Sequence, residues 1–186
     1  VTEAVGSPLT RANTQFGELD GVGGDYFSTP NVVTTWGELD IRVRAKVDSV
    51  ISGYAVLAEK QGVFWLTYAS NGRLRVSVDT VMAVFSDPNP VALGVRSWFR
   101  FTYDAATGDL KIFTANGNLE APAISDYVQL GATQNAGAGA VVVNTNSFIA
   151  GAFGAASTTY PFDGDIYRSQ VFNEIDGTTP VVDFTA

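Results

Sequence analysis

The feature that most constrains this chain is the alternation of apolar and polar side chains over short segments. In a strand, successive Cβ atoms point to opposite faces, so a period of two marks a sheet with one face buried. From Asp40 to Asp48 the pattern is nearly complete: Ile41, Val43, Ala45 and Val47 fall on one side, and Arg42, Arg44 and Lys46 on the other. From Ser97 to Ala115 a second segment predicts a hairpin. Phe99, Phe101 and Tyr103 alternate with Trp98, Arg100 and Thr102, and the connection Asp104 to Asp109 contains Gly108, which tolerates a left-handed backbone. Further strands are expected at Tyr127–Leu130, Ser147–Phe153, Asp165–Phe172 and Pro180–Thr185. No segment carries a helical stripe with caps. Many short strands separated by turn residues predict an all-β, antiparallel β-sandwich of the jelly-roll type.

Between Gly62 and Thr80, Asn71-Gly72 stands between two β-rich runs, the signature of a two-residue hairpin turn. That turn sets Tyr68 opposite Arg75, Trp65 opposite Val78 and Phe64 opposite Asp79. Trp65, Thr67, Ala69, Leu74, Val76 and Val78 would then face inward. Phe64, Tyr68, Arg75 and Asp79 would share the outer face, with an aromatic ring and a guanidinium side by side. A sugar needs such a pairing, a ring to stack on and a planar donor for its hydroxyls. An ordinary cross-strand pair explains the same spacing.

The 186 residues, 46% of them hydrophobic, suffice for one domain over residues 1–186. Histidine and cysteine are both absent. Disulfides, thiolate nucleophiles, histidine-based triads and nitrogen or sulfur zinc sites are therefore excluded. The formal charge of −8 argues against nucleic acid as a partner, and no apolar run reaches the ~20 residues of a membrane-spanning helix. The charge is also uneven. From Ile112 to the end the only basic residue is Arg168, against Glu120, Asp126, Asp163, Asp165, Glu174, Asp176 and Asp183. A basic strand face of Arg42, Arg44 and Lys46 and an acidic last third could meet between copies in a homo-oligomer; a solvated or guarded strand face is the alternative.

Three segments carry a family resemblance. Phe16 to Pro30 (FGELDGVGGDYFSTP), Ser97 to Asp104 (SWFRFTYD) with the following TGDLKIF and Asn116-Gly117, and Phe162 to Phe172 (FDGDIYRSQVF) resemble the opening strand, central hairpin and closing strand of laminin-G-like, or concanavalin A-like, jelly rolls. The resemblance covers residues 16–174, leaving 1–15 as an N-terminal extension or strand and 175–186 as a closing strand. GELDIRV at Gly37, YVQLG at Tyr127 and the run from Phe162 to Phe184 are similar to such domains in structural proteins of tailed bacteriophages. This implies a non-enzymatic virion accessory protein (capsid decoration, fibre or tail-surface protein) on the particle surface, in multiple copies beside phage capsid or tail proteins and touching host-surface glycans. The alternative is an extracellular glycan-binding module of a larger secreted bacterial protein, and the third reading is a polysaccharide lyase or hydrolase.

Three site expectations follow from the resemblance. Glu38-Leu39-Asp40-Ile41 is similar to the catalytic strand of retaining glucanases on this fold, but Arg42 and Val43 stand where the second glutamate belongs, so the acid/base of a two-carboxylate mechanism is missing. No cofactor is required. Calcium, which carboxylate and carbonyl oxygens hold without His or Cys, is the cofactor to consider, at Asp25, Asp163 and Asp165; ordinary Asp-Gly turns account for the same residues. Trp98 corresponds to the family's packing tryptophan, whereas Trp36 fits either an exposed rim or a core edge.

Overall fold

The computed structural model describes residues 10–11, 18–20, 26–29, 37–78, 82–87, 91–139, 146–152 and 160–185. They form fifteen strands: β1 Thr10–Arg11, β2 Glu18–Asp20, β3 Phe27–Ser28, β4 Glu38–Ser49, β5 Tyr54–Lys60, β6 Phe64–Ala69, β7 Leu74–Val78, β8 Met82–Phe85, β9 Arg96–Asp104, β10 Asp109–Asn116, β11 Val128–Gln129, β12 Gln134–Asn135, β13 Phe148–Ala150, β14 Asp163–Phe172 and β15 Val182–Thr185. A 3-10 turn, Ile124–Asp126, precedes β11. All pairings are antiparallel. One sheet runs β1-β3-β13-β5-β6-β7-β8 and the other β11-β10-β9-β4-β14-β15, with β12 also on β10 and β2 also on β14. The chain crosses between sheets at β1–β2, β2–β3, β3–β4, β4–β5, β8–β9, β12–β13 and β13–β14, which makes the molecule a jelly-roll β-sandwich.

The alternation read from the sequence builds the core. β4 turns Leu39, Ile41, Val43, Ala45 and Val47 inward, beside Phe99, Phe101 and Tyr103 of β9, and all are essentially buried. β6 and β7 contribute Phe64, Leu66, Tyr68, Leu74, Val76 and Val78 from the other sheet. Ring contacts join the layers, with Phe64 edge-on to Phe101 at 5.5 Å and Tyr68 edge-on to Phe99 at 6.2 Å. Each fully buried large side chain of this kind stabilises the fold by about 1.5–3 kcal/mol. The central hairpin forms as expected, with Gly108 at φ 78° in its connection and the Asp104 carboxylate accepting from the Ala106 amide at 2.8 Å.

One glycine is dictated by packing. At Gly164 the register between β14 and β4 shifts, φ is 140°, and an added Cβ would stand 2.0 Å from the Lys46 carbonyl oxygen. The two backbones can approach this closely only without a side chain.

The β6–β7 hairpin corrects the sequence reading by one residue. Its pairs are Tyr68 with Leu74, Leu66 with Val76 and Phe64 with Val78, not Tyr68 with Arg75. The loop holds three residues, Ser70, Asn71 and Gly72. The Ala69 amide donates to the Arg73 carbonyl at 2.8 Å, the Gly72 amide donates to Ala69 at 2.9 Å, and Gly72 takes the left-handed position at φ 76°. Asn71 serves the turn through its side chain, accepting from the Arg73 amide at 3.2 Å. A slip of one residue exchanges the faces of a strand. β7 therefore keeps the inner face expected of it, whereas every side chain of β6 points the other way.

Candidate functional site

The correction dismantles the expected ligand cluster and assembles another. Phe64 and Tyr68 lie in the core, 2% and 4% exposed, and the Tyr68 hydroxyl donates to the Val91 carbonyl at 2.8 Å. They stand on the opposite face of the sheet from Arg75, and Asp79 lies outside the described residues. Beside Arg75 the register puts Trp65. The guanidinium carbon of Arg75 is 4.3 Å from the Trp65 ring centroid and 5.0 Å from that of Tyr54. Tyr160 sits edge-on to Tyr54 at 5.4 Å and tilted to Trp65 at 6.5 Å. All four side chains are half-buried. Glu59, buried, stands across the strand pair from Trp65. Tyr160 reaches this position with φ 56°, a backbone conformation uncommon for a residue with a side chain. The expectation that Trp65 lies in the core is thus overturned: it belongs to an aromatic platform with one cation laid on it.

The outer face of the other sheet is a buried layer of paired charge. Asp40 is fully buried, and each of its oxygens accepts from two guanidinium groups. Arg42 donates from Nε to Oδ1 at 3.2 Å and from Nη2 to Oδ2 at 2.6 Å, and Arg100 does the same at 2.8 and 2.8 Å. Arg100 also donates to Asp176 Oδ1 at 2.5 Å, and Arg42 to the Gly177 carbonyl at 3.1 Å. Burial acts to lower the Arg100 pKa, but the bonds and charges of Asp40 and Asp176 prevail and raise it. Rings flank the cations: Phe172 lies 4.0 Å from Arg42, and Phe113 and Tyr127 lie 5.0 and 5.1 Å from Arg100. Burial pushes the Tyr127 phenol well above the ordinary tyrosine range.

The basic strand face is therefore neither solvated nor open to a second copy as the sequence suggests. Arg42 and Arg44 are 8% and 6% exposed. Arg44 donates to the Gly117 carbonyl at 2.8 Å and pairs with Glu120 at 2.7 Å, while Lys46 pairs with Asp165 at 2.9 Å and Asp48 at 3.1 Å. The basic face and the acidic last third meet inside one chain. The carboxylates resembling a glucanase strand are part of the same construction, since Glu38 accepts from the Ile175 amide at 2.9 Å and Asp40 from the Asp176 amide at 3.1 Å.

Of the residues named for calcium, Asp25 lies outside the described residues, as does Trp36. Asp163 accepts from the Ser49 hydroxyl, and Asp165 takes Lys46 and the Tyr167 hydroxyl, the latter at 3.2 Å. Among the described residues no group of three acidic side chains is placed to hold a metal ion. Trp98 is buried and donates from Nε1 to the Leu119 carbonyl at 2.8 Å, packing with Ala115 and Tyr127 in a small cluster outside the main core.

No protein-family model and no curated protein sequence matches the chain. Solved structures do match, at a level of identity that speaks for the fold alone. The native heptameric SAP-like pentraxin from Limulus polyphemus superimposes with a TM-score of 0.60 at 13% identity, over 89% of this chain and 75% of the pentraxin. The mouse laminin alpha1 domains LG4-5 give 0.55 at 14% identity, over 84% of this chain and 40% of that pair. The CBM40 of a Ruminococcus gnavus IT-sialidase, solved with alpha2,3 sialyllactose, gives 0.51 at 16% identity, over 79% of this chain and 91% of that one. The chain thus has the lectin-like jelly-roll fold of laminin-G domains, pentraxins and carbohydrate-binding modules.

Proposed function

We propose that this chain is a non-catalytic glycan-binding module that works outside the cell. The observation that carries the reading is the platform of Trp65, Tyr54 and Tyr160 with the Arg75 guanidinium laid over it at 4.3 Å. An indole face stacks on the apolar face of a pyranose, and a guanidinium fixed in a plane offers several donors to neighbouring hydroxyls. Because stacking already holds Arg75, little side-chain freedom is lost when it takes up a sugar. The sialyllactose-bound module among the similar structures supports the same reading, and the extracellular setting follows from it. The virion role read from the sequence finds no support in these structures, which favour the alternative. The similar pentraxin is heptameric, which favours display in several copies; a monomer at every concentration in sedimentation velocity would count against that part.

The test is affinity electrophoresis and a glycan array on the chain and on Trp65→Ala and Arg75→Met. Both variants should lose retention by about tenfold or more while melting within a few degrees of the parent. Retention unchanged in Trp65→Ala overturns the reading. Retention should also survive chelation with EDTA, since the platform's own polar groups supply the contacts.

A further inference from the structure

On the far side of the sandwich, β9 and β10 form the floor of a cavity of about 230 Å³. Two cross-strand rungs define it, Thr102 with Lys111 and Arg100 with Phe113. Ile124 from the 3-10 turn closes one side, and Ile175 and Asp176 from the β14–β15 connection close the other. The volume suits a single sugar ring rather than a longer chain, being below the ~300 Å³ at which drug-sized pockets begin.

The polar groups around this space are of two kinds. Arg100 is 2% exposed and committed to Asp40 and Asp176. Thr102 is 3% exposed, yet its hydroxyl takes no hydrogen bond from any described residue. The Lys111 ammonium and the carboxylate of Asp109, one rung along, likewise make no side-chain bond to a described residue, and only one oxygen of Asp176 is used. A hydroxyl, an ammonium and two carboxylate oxygens therefore line one dent together with Phe113, Ile124 and Ile175. Lys111 and Asp109 are half-buried and Asp176 is exposed, so these groups remain open to a ligand, and one with both donors and acceptors can meet them and the Thr102 hydroxyl together.

We infer that this groove is a second binding site, for one neutral hexose residue, independent of the Trp65 platform. Neutrality follows from the charges. The cations Arg100 and Lys111 face the acids Asp104, Asp109 and Asp176. An acidic sugar would meet the free oxygens of Asp109 and Asp176, and an amino sugar would meet Lys111. Hydroxyl groups donate to the carboxylates and accept from Lys111 and Thr102 without either repulsion.

The experiment is an amide NMR titration of the whole chain with the methyl glycosides of glucose, galactose and mannose, and separately with glucuronate and glucosamine. At least one neutral glycoside should shift the amides of Thr102, Lys111 and Phe113, and should do so equally in Trp65→Ala. Lys111→Met and Asp109→Asn, checked for an unchanged melting temperature, should weaken that response about tenfold or more. Shifts only with glucuronate or glucosamine overturn the inference, as does a neutral response that survives both groove variants. If the groove amides stay silent while those near Trp65 and Arg75 move, the second site fails and the module reading stands; silence at both faces defeats both.

Discussion

The two outer faces of this sandwich spend their polar residues in opposite ways. On the eight-stranded sheet, Asp40, Arg42, Arg100 and Asp176 satisfy one another, and the layer is covered by the Gly117–Tyr127 and Glu174–Gly177 segments. On the seven-stranded sheet, Arg75 lies on rings that stay half-exposed. Charge locked into reciprocal bonds fixes a structure, because removing one partner strands the other in a dry place. A cation laid on a ring face is held by the ring instead of by an opposite charge buried with it. The contrast separates charge paired within a buried layer from charge laid on half-exposed rings.

Several substitutions would break that contrast or sharpen it. Asp40→Ala leaves two buried guanidinium groups without their shared carboxylate and should destabilise the chain by about 3–5 kcal/mol in denaturant unfolding; a loss below ~1 kcal/mol would mean that the layer is wetter than its burial indicates. Adjacent residues on β6 test the faces directly. Phe64→Ala should cost about 3–5 kcal/mol, whereas Trp65→Ala should cost about 1 kcal/mol and weaken sugar retention about tenfold or more; equal losses of stability would undo the register. Gly164→Ala should destabilise by about 1–3 kcal/mol, from the positive φ and the Lys46 carbonyl in its path. The smallest effect is at Lys46, 30% exposed, whose pKa is raised by hydrogen bonds to Asp165 and then Asp48. A raised value in the folded state means stabilisation that is complete below the ordinary lysine pKa of ~10.4 and is lost as pH rises through the folded one. Lys46→Met should therefore lower stability by no more than about 1 kcal/mol at neutral pH, and the gap should close in strong alkali.

How far the sequence carries can be seen in two hairpins. Ser97 to Ala115 was readable because Phe99, Phe101 and Tyr103 leave only one face to bury, whatever the turn does. At β6–β7 the faces are closer in character, and the turn was left to decide. Asn71-Gly72 pointed to a two-residue loop; with Ser70 included, the loop has three, and Trp65 came to the surface. Matching the more apolar set, Phe64, Leu66 and Tyr68, to Leu74, Val76 and Val78 would have found the true register. The charge polarity was legible too, but not its use: composition counts charges without showing that Arg42 and Asp176 belong to segments that fold against each other. Tyr160 could not be placed from sequence, because neither alternation nor a motif fixes where an irregular segment lays its ring.

The contacts that pin the β14–β15 connection have a kinetic consequence. Glu38 holds the Ile175 amide, Asp40 the Asp176 amide and Arg42 the Gly177 carbonyl, across 137, 136 and 135 positions of chain. Closing loops of that size is slow, and in a chain made from its N-terminus these contacts can form only once residues 175–177 have been made. Until residues 175–177 emerge, the Asp40 cluster lacks the segment that seals it and β14 lacks the neighbour that β15 provides. The nascent sandwich passes through a stage with an open edge and an uncovered charged layer, the stage at which it is most exposed to mispairing and proteolysis.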